Sequence, residues 1–243
     1  AIGSTVRVPE ESASFKVNKK DGVVYYLVPS FPTARMRSWL YKKGRVPIPP
    51  YIKNTPLSEA ELKQEYQTIF ARVAGSVAAP TASLHFTKRL LKQLSHAGIA
   101  QKLITLHVGL GTFAPITDAQ LLTRTLHEEH FELSPKTLRF LNQAKKQGRP
   151  IIAVGTTSVR TLENAANDKG ILAATHGDTR LFIREGYEWK FIDGMITNFH
   201  VPASSLMMLV AAFIGRKKLL SLYYFAIKKK FRLFSFGDGM LLY

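Results

Sequence analysis

Four histidines stand beside predicted strand ends or loops, where an imidazole could meet a ligand. These histidines are His85, His107, His127 and His200. A neutral imidazole can remove a proton near neutral pH, so each is a candidate general base. A single histidine of this kind is more often a hydrogen-bonded structural residue. Several of them at one edge of a sheet would favour catalysis.

The stretch "GTTSVR" is the second candidate for chemistry, because it joins an apolar run to a predicted helix. Helix N-termini attract anions through their free N–H groups. Hydroxyl groups and a guanidinium would strengthen that attraction, which favours a carboxylate or phosphate ligand. An ordinary Ser/Thr helix cap is the structural alternative and stays open. The residues concerned are Gly155, Thr156, Thr157, Ser158 and Arg160.

The motifs argue against a dinucleotide-binding loop, a zinc site and cysteine chemistry. The stretch 109–114, "GLGTFA", nominally fits a dinucleotide-binding loop, but Pro115 follows at once and the predicted helix starts later. The "HEEH" at 127–130 is one residue short of the zincin spacing and reads as a strand. The chain has no cysteine, which excludes disulfides and thiolate chemistry and fits a reducing cytoplasm. We therefore expect no metal and no resident cofactor.

The charge of the chain indicates a polyanionic partner. Its 34 Lys+Arg against 17 Asp+Glu give a net charge of +17, which favours nucleic acid over a membrane surface. General basicity of the source proteome is the alternative. The uncharged apolar run 206–215 is shorter than the roughly 20 residues that cross a bilayer, so it predicts a buried helix. The start at Ala1 shows no signal sequence and, without Met, indicates that the chain is not the whole gene product.

Two regions differ in their secondary-structure pattern. Residues 14–28 alternate apolar and polar side chains around Asp21-Gly22, which predicts a hairpin within a larger sheet or barrel. The first predicted domain, 1–50, is this partial β-barrel and the connection after it. Residues 51–243 alternate helix and strand patterns, which predicts an α/β catalytic domain with a mostly parallel sheet. Thr117 and Ser134 are predicted to cap helices, and residues 179–193 are predicted to form a second hairpin.

Three predicted strands run into polar loops, where open α/β sheets bind their ligands. These strands end at His107, at Val154 and at Asn198–His200. We therefore expect the candidate residues to meet at the carboxyl edge of one sheet.

The motifs together resemble those of one family. They are "YQTIFA", "GSVAAPTASLHFT", "TLHVGLGTFAPI", "LHEEHFEL", "IIAVGTTSVRTLE", "IDGMITNFHVPASSLMMLVAAFIG" and "FSFGDGM", in this order. They resemble the S-adenosylmethionine:tRNA ribosyltransferase-isomerases of queuosine biosynthesis. The resemblance runs from about Arg45 to the C-terminus. It implies an α/β catalytic domain with an inserted β-barrel.

The resemblance implies transfer and isomerisation of the ribosyl group of S-adenosylmethionine, with tRNA as the acceptor. The acceptor is 7-aminomethyl-7-deazaguanine at the wobble position of the anticodon loop, the product is epoxyqueuosine, and adenine and methionine are released. A base would remove the proton beside the sulfonium. S-adenosylmethionine is then a substrate, and the protein is expected to be a cytoplasmic monomer that does not bind membranes.

The resemblance also assigns roles to residues of this chain. His200 is favoured as the base over His107, His127 and His85, with Glu129 as an orienting carboxylate. Asp193 and Asp238 either bind the protonated aminomethyl group or cap turns. The residues expected to bind S-adenosylmethionine are Gly155, Thr156, Thr157, Ser158, Arg160, Gly109, Gly111 and Asn198.

The chain departs from the family in several places. The family's N-terminal part has no counterpart here, and Leu126, Arg184-Glu185 and Gly239 replace the usual Met, Tyr-Pro and Ala. An inactive, truncated tRNA-binding remnant is therefore an alternative function. A methyltransferase is a further one, although it needs a glycine loop that "GLGTFAPI" does not provide.

Overall fold

A computed structural model describes most of the chain in two compact units, Ala1–Val46 and Pro47–Tyr243. The described residues are 1–9, 11–21, 24–49, 51–109 and 116–243. In these residues, no helix combines the length and the apolar character that crossing a membrane would require.

The first unit is a three-stranded antiparallel sheet followed by a helix. Its strands, in spatial order, are β1 (Thr5–Arg7), β2 (Ser14–Asp21) and β3 (Val24–Pro29), and its helix is α1 (Met36–Lys43). Asp21 pairs with Val24, so the predicted hairpin is confirmed, although its turn lies outside the described residues. Phe15, Phe31 and Trp39 pack with ring centroids 5.5–6.0 Å apart. The described strands do not close into a barrel.

The second unit mixes helices and strands. Its helices are α2 (Glu59–Glu65), α3 (Lys88–His96), α4 (Asp118–Thr123), α5 (Pro135–Lys146), α6 (Thr156–Ala165), α7 (Ser205–Ile214) and α8 (Arg216–Lys228). Its strands are β4 (Thr105–His107), β5 (Thr125–Glu132), β6 (Ile152–Val154), β7 (His176–Leu181), β8 (Gly194–Asn198) and β9 (Gly239–Leu242). A short 3-10 turn covers Thr81–His85.

The strands of the second unit form two small sheets, and this corrects the predicted parallel sheet. Strands β4, β5 and β7 pair antiparallel in that order. In the other sheet β8 lies between β6, which runs parallel to it, and β9, which runs antiparallel. Parallel pairing among the described strands is thus limited to β6 and β8, and the fold is mixed α and β.

Two local predictions have opposite outcomes. The capping signals are confirmed, because the side chains of Thr117 and Ser134 accept the N–H groups of Gln120 and Thr137. The hairpin predicted over 179–193 is wrong beyond Leu181. There the Glu163 carboxylate accepts the N–H groups of residues 190–192 at 2.8–3.0 Å, so these groups are not available for a strand ladder.

Helix α6 lies in the centre of the hydrophobic core. Its Val159, Leu162 and Ala165 are buried with Phe131 of β5 and Met195 of β8. Both small sheets therefore pack on one helix, and the start of that helix is held firmly in place.

Candidate active site

The carboxyl ends of β6 and β8 meet at the start of α6. The Gly155 N–H donates to the Ile196 carbonyl at 2.8 Å, which extends the parallel pairing by one residue. Gly155 has a φ of +88°, a conformation that favours glycine, and it lets the chain turn directly into α6. The first N–H groups of α6 have no partner within the helix, so they can bind an anion at this edge.

The Asn198 side chain joins three chain segments at the same edge. It is 3% exposed, and its Oδ1 accepts a hydrogen bond from the Thr81 hydroxyl at 3.0 Å. Its Nδ2 lies 3.5 Å from His85 Nε2 and 3.5 Å from the Gly237 carbonyl oxygen. The His85 side chain is exposed. The structure thus brings a histidine and an amide together beyond the end of β8, where ligands are expected.

The turn that carries His85 also lies against the start of α6. A Cβ atom added to Gly155 would stand 4.0 Å from the Ala82 side chain. Thr157 and Ser158, in the first turn of α6, are partly exposed, whereas Thr156 is buried. We define the carboxyl-edge site as Thr81, His85, Asn198 and the start of α6 at 155–158. Thr81 is a member that the sequence patterns did not single out.

The Arg160 guanidinium is not part of the carboxyl-edge site, contrary to expectation. It is 2.8 Å from the Glu129 carboxylate, and both side chains are at most 5% exposed. Its Nε and Nη2 also donate to backbone carbonyls of Leu181, His127 and Thr179. Burial lowers the pKa of Arg160, and the charge of Glu129 opposes that shift. The pair holds α6 against β5 and β7.

His107 and His127 belong to the β4-β5-β7 sheet and not to the edge of β6 and β8. The His107 ring stacks on His130 with centroids 6.0 Å apart. A Cβ atom added to Gly75 would lie 2.5 Å from His107 Nδ1, so the close approach of this residue to the histidine ring requires glycine. His127 is exposed on β5, while Glu129 is buried on the same strand and forms an ion pair with Arg160.

His200, the favoured base, lies beside β8 in a desolvated position. Its Nε2 is 2.8 Å from the Thr197 hydroxyl, and the Tyr223 hydroxyl bonds to both the N–H and the carbonyl of His200. The imidazole contacts Thr197, whose side chain points to the face of β8 opposite to that of Asn198, because successive strand residues alternate. Burial lowers the pKa of His200 to about 4, which makes it a weak base.

The partly buried, desolvated His200 should make the protein sensitive to mild acid. In the unfolded chain His200 gains a proton below pH 6.5, but in the folded protein only below about 4. Unfolding therefore takes up a proton in this window, and the free energy of unfolding should fall by up to about 3 kcal/mol from pH 6.5 to 4. In His200→Gln this loss should be absent. Urea unfolding of both proteins at pH 7, 6, 5 and 4 measures it, and parallel pH profiles would contradict it.

The two predicted aspartates hold turns. Asp193 lies at the amino end of β8, far along the strand from Asn198, and accepts the Ile151 N–H at 2.8 Å. It also forms an ion pair with Lys145 at 2.7 Å. Asp238 accepts the Arg232 N–H at 2.8 Å. Both arrangements match the turn-capping alternative.

The remaining predicted residues follow β4. Gly109 is exposed after the end of that strand, and Gly111 lies outside the described residues. Among the residues that the structure describes, no group of three or more acidic, histidine or cysteine side chains could hold a metal ion.

Comparisons with known proteins show the family to which the chain belongs. A family model described as queuosine biosynthesis protein matches residues 1–242. The chain belongs to this family. The S-adenosylmethionine:tRNA ribosyltransferase-isomerases of Desulforamulus reducens and Halothermothrix orenii are 48% and 50% identical to it over 199 residues. The family resemblance seen in the motifs is thereby confirmed.

A solved structure of the family shows a similar fold. The crystal structure of an S-adenosylmethionine tRNA ribosyltransferase from Thermotoga maritima is 37% identical, with a TM-score of 0.53. The match covers 66% of this chain and 50% of that structure. The two curated relatives are matched over 82% of this chain and 57% of their own length. The chain therefore spans little more than half of these queuosine biosynthesis proteins.

Proposed function

We propose that this protein is an S-adenosylmethionine:tRNA ribosyltransferase-isomerase acting on the wobble 7-aminomethyl-7-deazaguanine of tRNA. The observation that carries the proposal is the meeting of His85, Asn198 and the start of α6 at one sheet edge, in a chain of the queuosine family. The start of α6 supplies N–H groups and hydroxyls for the methionine carboxylate of S-adenosylmethionine. Arg160 has no part in this binding, since Glu129 and backbone carbonyls occupy it.

His85 is the base in this proposal. It removes the proton from the carbon beside the sulfonium, and adenine departs with the electron pair of its glycosidic bond. The neutral aminomethyl nitrogen bonds to the anomeric carbon that adenine leaves and gives up a proton. The deprotonated 5′ carbon bonds to the anomeric carbon in place of the ring oxygen, and that oxygen then displaces methionine from the 5′ carbon, which gives the epoxycyclopentanediol. Asn198 positions His85 through its amide, and Thr81 fixes the amide orientation by donating to Oδ1.

The decisive experiment is incubation of the chain with S-adenosylmethionine and precursor tRNA. Release of adenine and methionine together with epoxyqueuosine in the tRNA supports the proposal. Binding of tRNA without turnover would support the inactive remnant instead. Formation of S-adenosylhomocysteine would indicate a methyltransferase.

A basic surface supports the choice of tRNA as partner. We call α8 and the turn after it, residues 216–232, the basic segment. All seven of its Lys and Arg residues are exposed, and the sequence has no Asp or Glu between Asp193 and Asp238. The Tyr223 hydroxyl ties α8 to His200 beyond the end of β8. The charge therefore lies on the segment that adjoins the end of this strand.

Binding of tRNA should depend steeply on salt, because each neutralised phosphate releases counterions. With about five neutralised phosphates, log K against log salt should have a slope of roughly −3.5 to −4.5. Replacing Lys217 and Lys228 with Gln should make the slope shallower by about 0.7–0.9 for each phosphate that is no longer neutralised. Lys169→Gln, an exposed change beyond the other end of α6, serves as the control. Fluorescence anisotropy with labelled tRNA measures these slopes, and affinity independent of salt would contradict the prediction.

A further inference from the structure

A cavity of about 450 Å³ opens beside the carboxyl-edge site. Its walls include Leu84 and Phe86, which flank His85 in the sequence, and Phe236, which precedes Gly237. The His85 ring and the Gly237 carbonyl both lie 3.5 Å from the Asn198 amide. The cavity and the site are therefore neighbours, and the volume is in the range of roughly 300–1,000 Å³ that small-molecule sites occupy.

One wall of the cavity is aromatic and accessible. The Phe236 side chain is 42% exposed, yet its ring is supported by Tyr66 at a centroid distance of 5.7 Å. The Phe86 ring is supported in the same way by Phe70 at 6.2 Å. A flat ring that is held in place but open to solvent is the kind of surface on which an unpaired base stacks.

The polar part of the lining carries hydrogen-bond acceptors. The described residues that line the cavity include Glu61, Glu65 and Gln67 but no Lys or Arg, in a chain with 34 Lys+Arg. The Glu61 carboxylate already accepts from the N–H and hydroxyl of Ser58. The exposed side chain of Glu65, the last residue of α2, forms no ion pair or hydrogen bond with the other described residues. Its carboxylate is available to accept from a ligand.

We propose that this cavity binds a guanine-type base, stacked on Phe236. The N1–H and exocyclic amino group of guanine donate to the Glu65 carboxylate, and Gln67 offers a further amide oxygen. Adenine presents an unprotonated ring nitrogen at the same position, which a carboxylate repels. The inference rests on the proposed function, because it places the modified wobble base of tRNA beside His85. Extrusion of an unpaired base into such a pocket is common in enzymes that act on bases.

The test uses anticodon stem-loop RNAs that differ only in guanine or adenine at the wobble position. The wild-type chain should bind the guanine RNA more tightly. Phe236→Ala should weaken that binding about tenfold because the base no longer stacks on a ring. Glu65→Gln should remove the preference for guanine over adenine. Tyr26→Ala, which removes a similarly exposed ring, and Glu59→Gln at the other end of α2 are the controls and should bind as wild type.

The possible results distinguish a failure of the cavity assignment from a failure of the proposed reaction. Unchanged binding of both RNAs by Phe236→Ala and Glu65→Gln would overturn the assignment, even if the wild-type chain turns over. Weakened affinity for S-adenosylmethionine alone would also overturn it. Loss of guanine-specific binding in the variants, with no turnover by the wild-type chain, would support the cavity and contradict the proposed reaction. If circular dichroism shows that Phe236→Ala is unfolded, Phe236→Leu keeps an apolar side chain without the flat ring.

Discussion

Replacing His85 with alanine should lower turnover by about 10²–10⁴-fold while affinity for S-adenosylmethionine and tRNA survives. His85 is an exposed histidine at the carboxyl-edge site, 3.5 Å from the Asn198 amide. Removing its ring takes away the proposed base and leaves the anion-binding start of α6 intact. With S-adenosylmethionine deuterated at the 5′ carbon, the wild-type enzyme should lose deuterium to solvent. The variant should retain it.

The matched control is His96→Ala, which removes an exposed histidine at the end of α3, outside the site. That variant should turn over normally. Asn198→Ala should also reduce turnover, because the orientation of His85 and Thr81 depends on the amide. Near-normal turnover of His85→Ala with continued loss of deuterium would move the base to another residue, with His200 and His107 as the next candidates.

Features that depend on residues within one helical turn of each other could be predicted from the sequence. Thr117 and Ser134 cap their helices because the group each one binds lies three residues further on. The convergence of the start of α6 with Asn198 was also predictable. It follows from two strands that each end in polar residues and that pair parallel.

Other pairings between distant segments could not be predicted from the sequence. Strands β8 and β9 are separated by two helices, and nothing in their own residues states that they run antiparallel. Arg160 has the charge of an anion ligand, but Glu129 lies on a strand far away in sequence and meets it only in the folded protein. The 179–193 stretch alternates like a hairpin, yet the Glu163 carboxylate takes the N–H groups of its second half. In each case the structure depends on a residue or strand that is distant in the sequence and becomes a neighbour only in the folded protein.

The second large effect concerns stability. Arg160→Ala should lower the free energy of unfolding by about 3–5 kcal/mol, because it leaves the Glu129 carboxylate buried without its counter-charge. It also removes the hydrogen bonds that Arg160 donates to the carbonyls of Leu181 and Thr179. Arg160→Lys should recover only part of this loss, since one ammonium group cannot reach the same acceptors as a planar guanidinium. Urea denaturation monitored by circular dichroism measures both changes.

A neighbouring ion pair provides the comparison that isolates burial. Arg180 of β7 and Glu128 of β5 form an Arg–Glu pair at 2.6 Å, one residue along β5 from Glu129, but their side chains are 65% and 48% exposed. Water screens that pair, so Arg180→Ala should cost at most about 1 kcal/mol. Equal losses in the two variants would contradict the claim that burial makes the loss of Arg160 the more costly one. If Arg160→Ala instead has normal stability but binds S-adenosylmethionine more weakly, Arg160 binds the carboxylate of that substrate, as the sequence suggested.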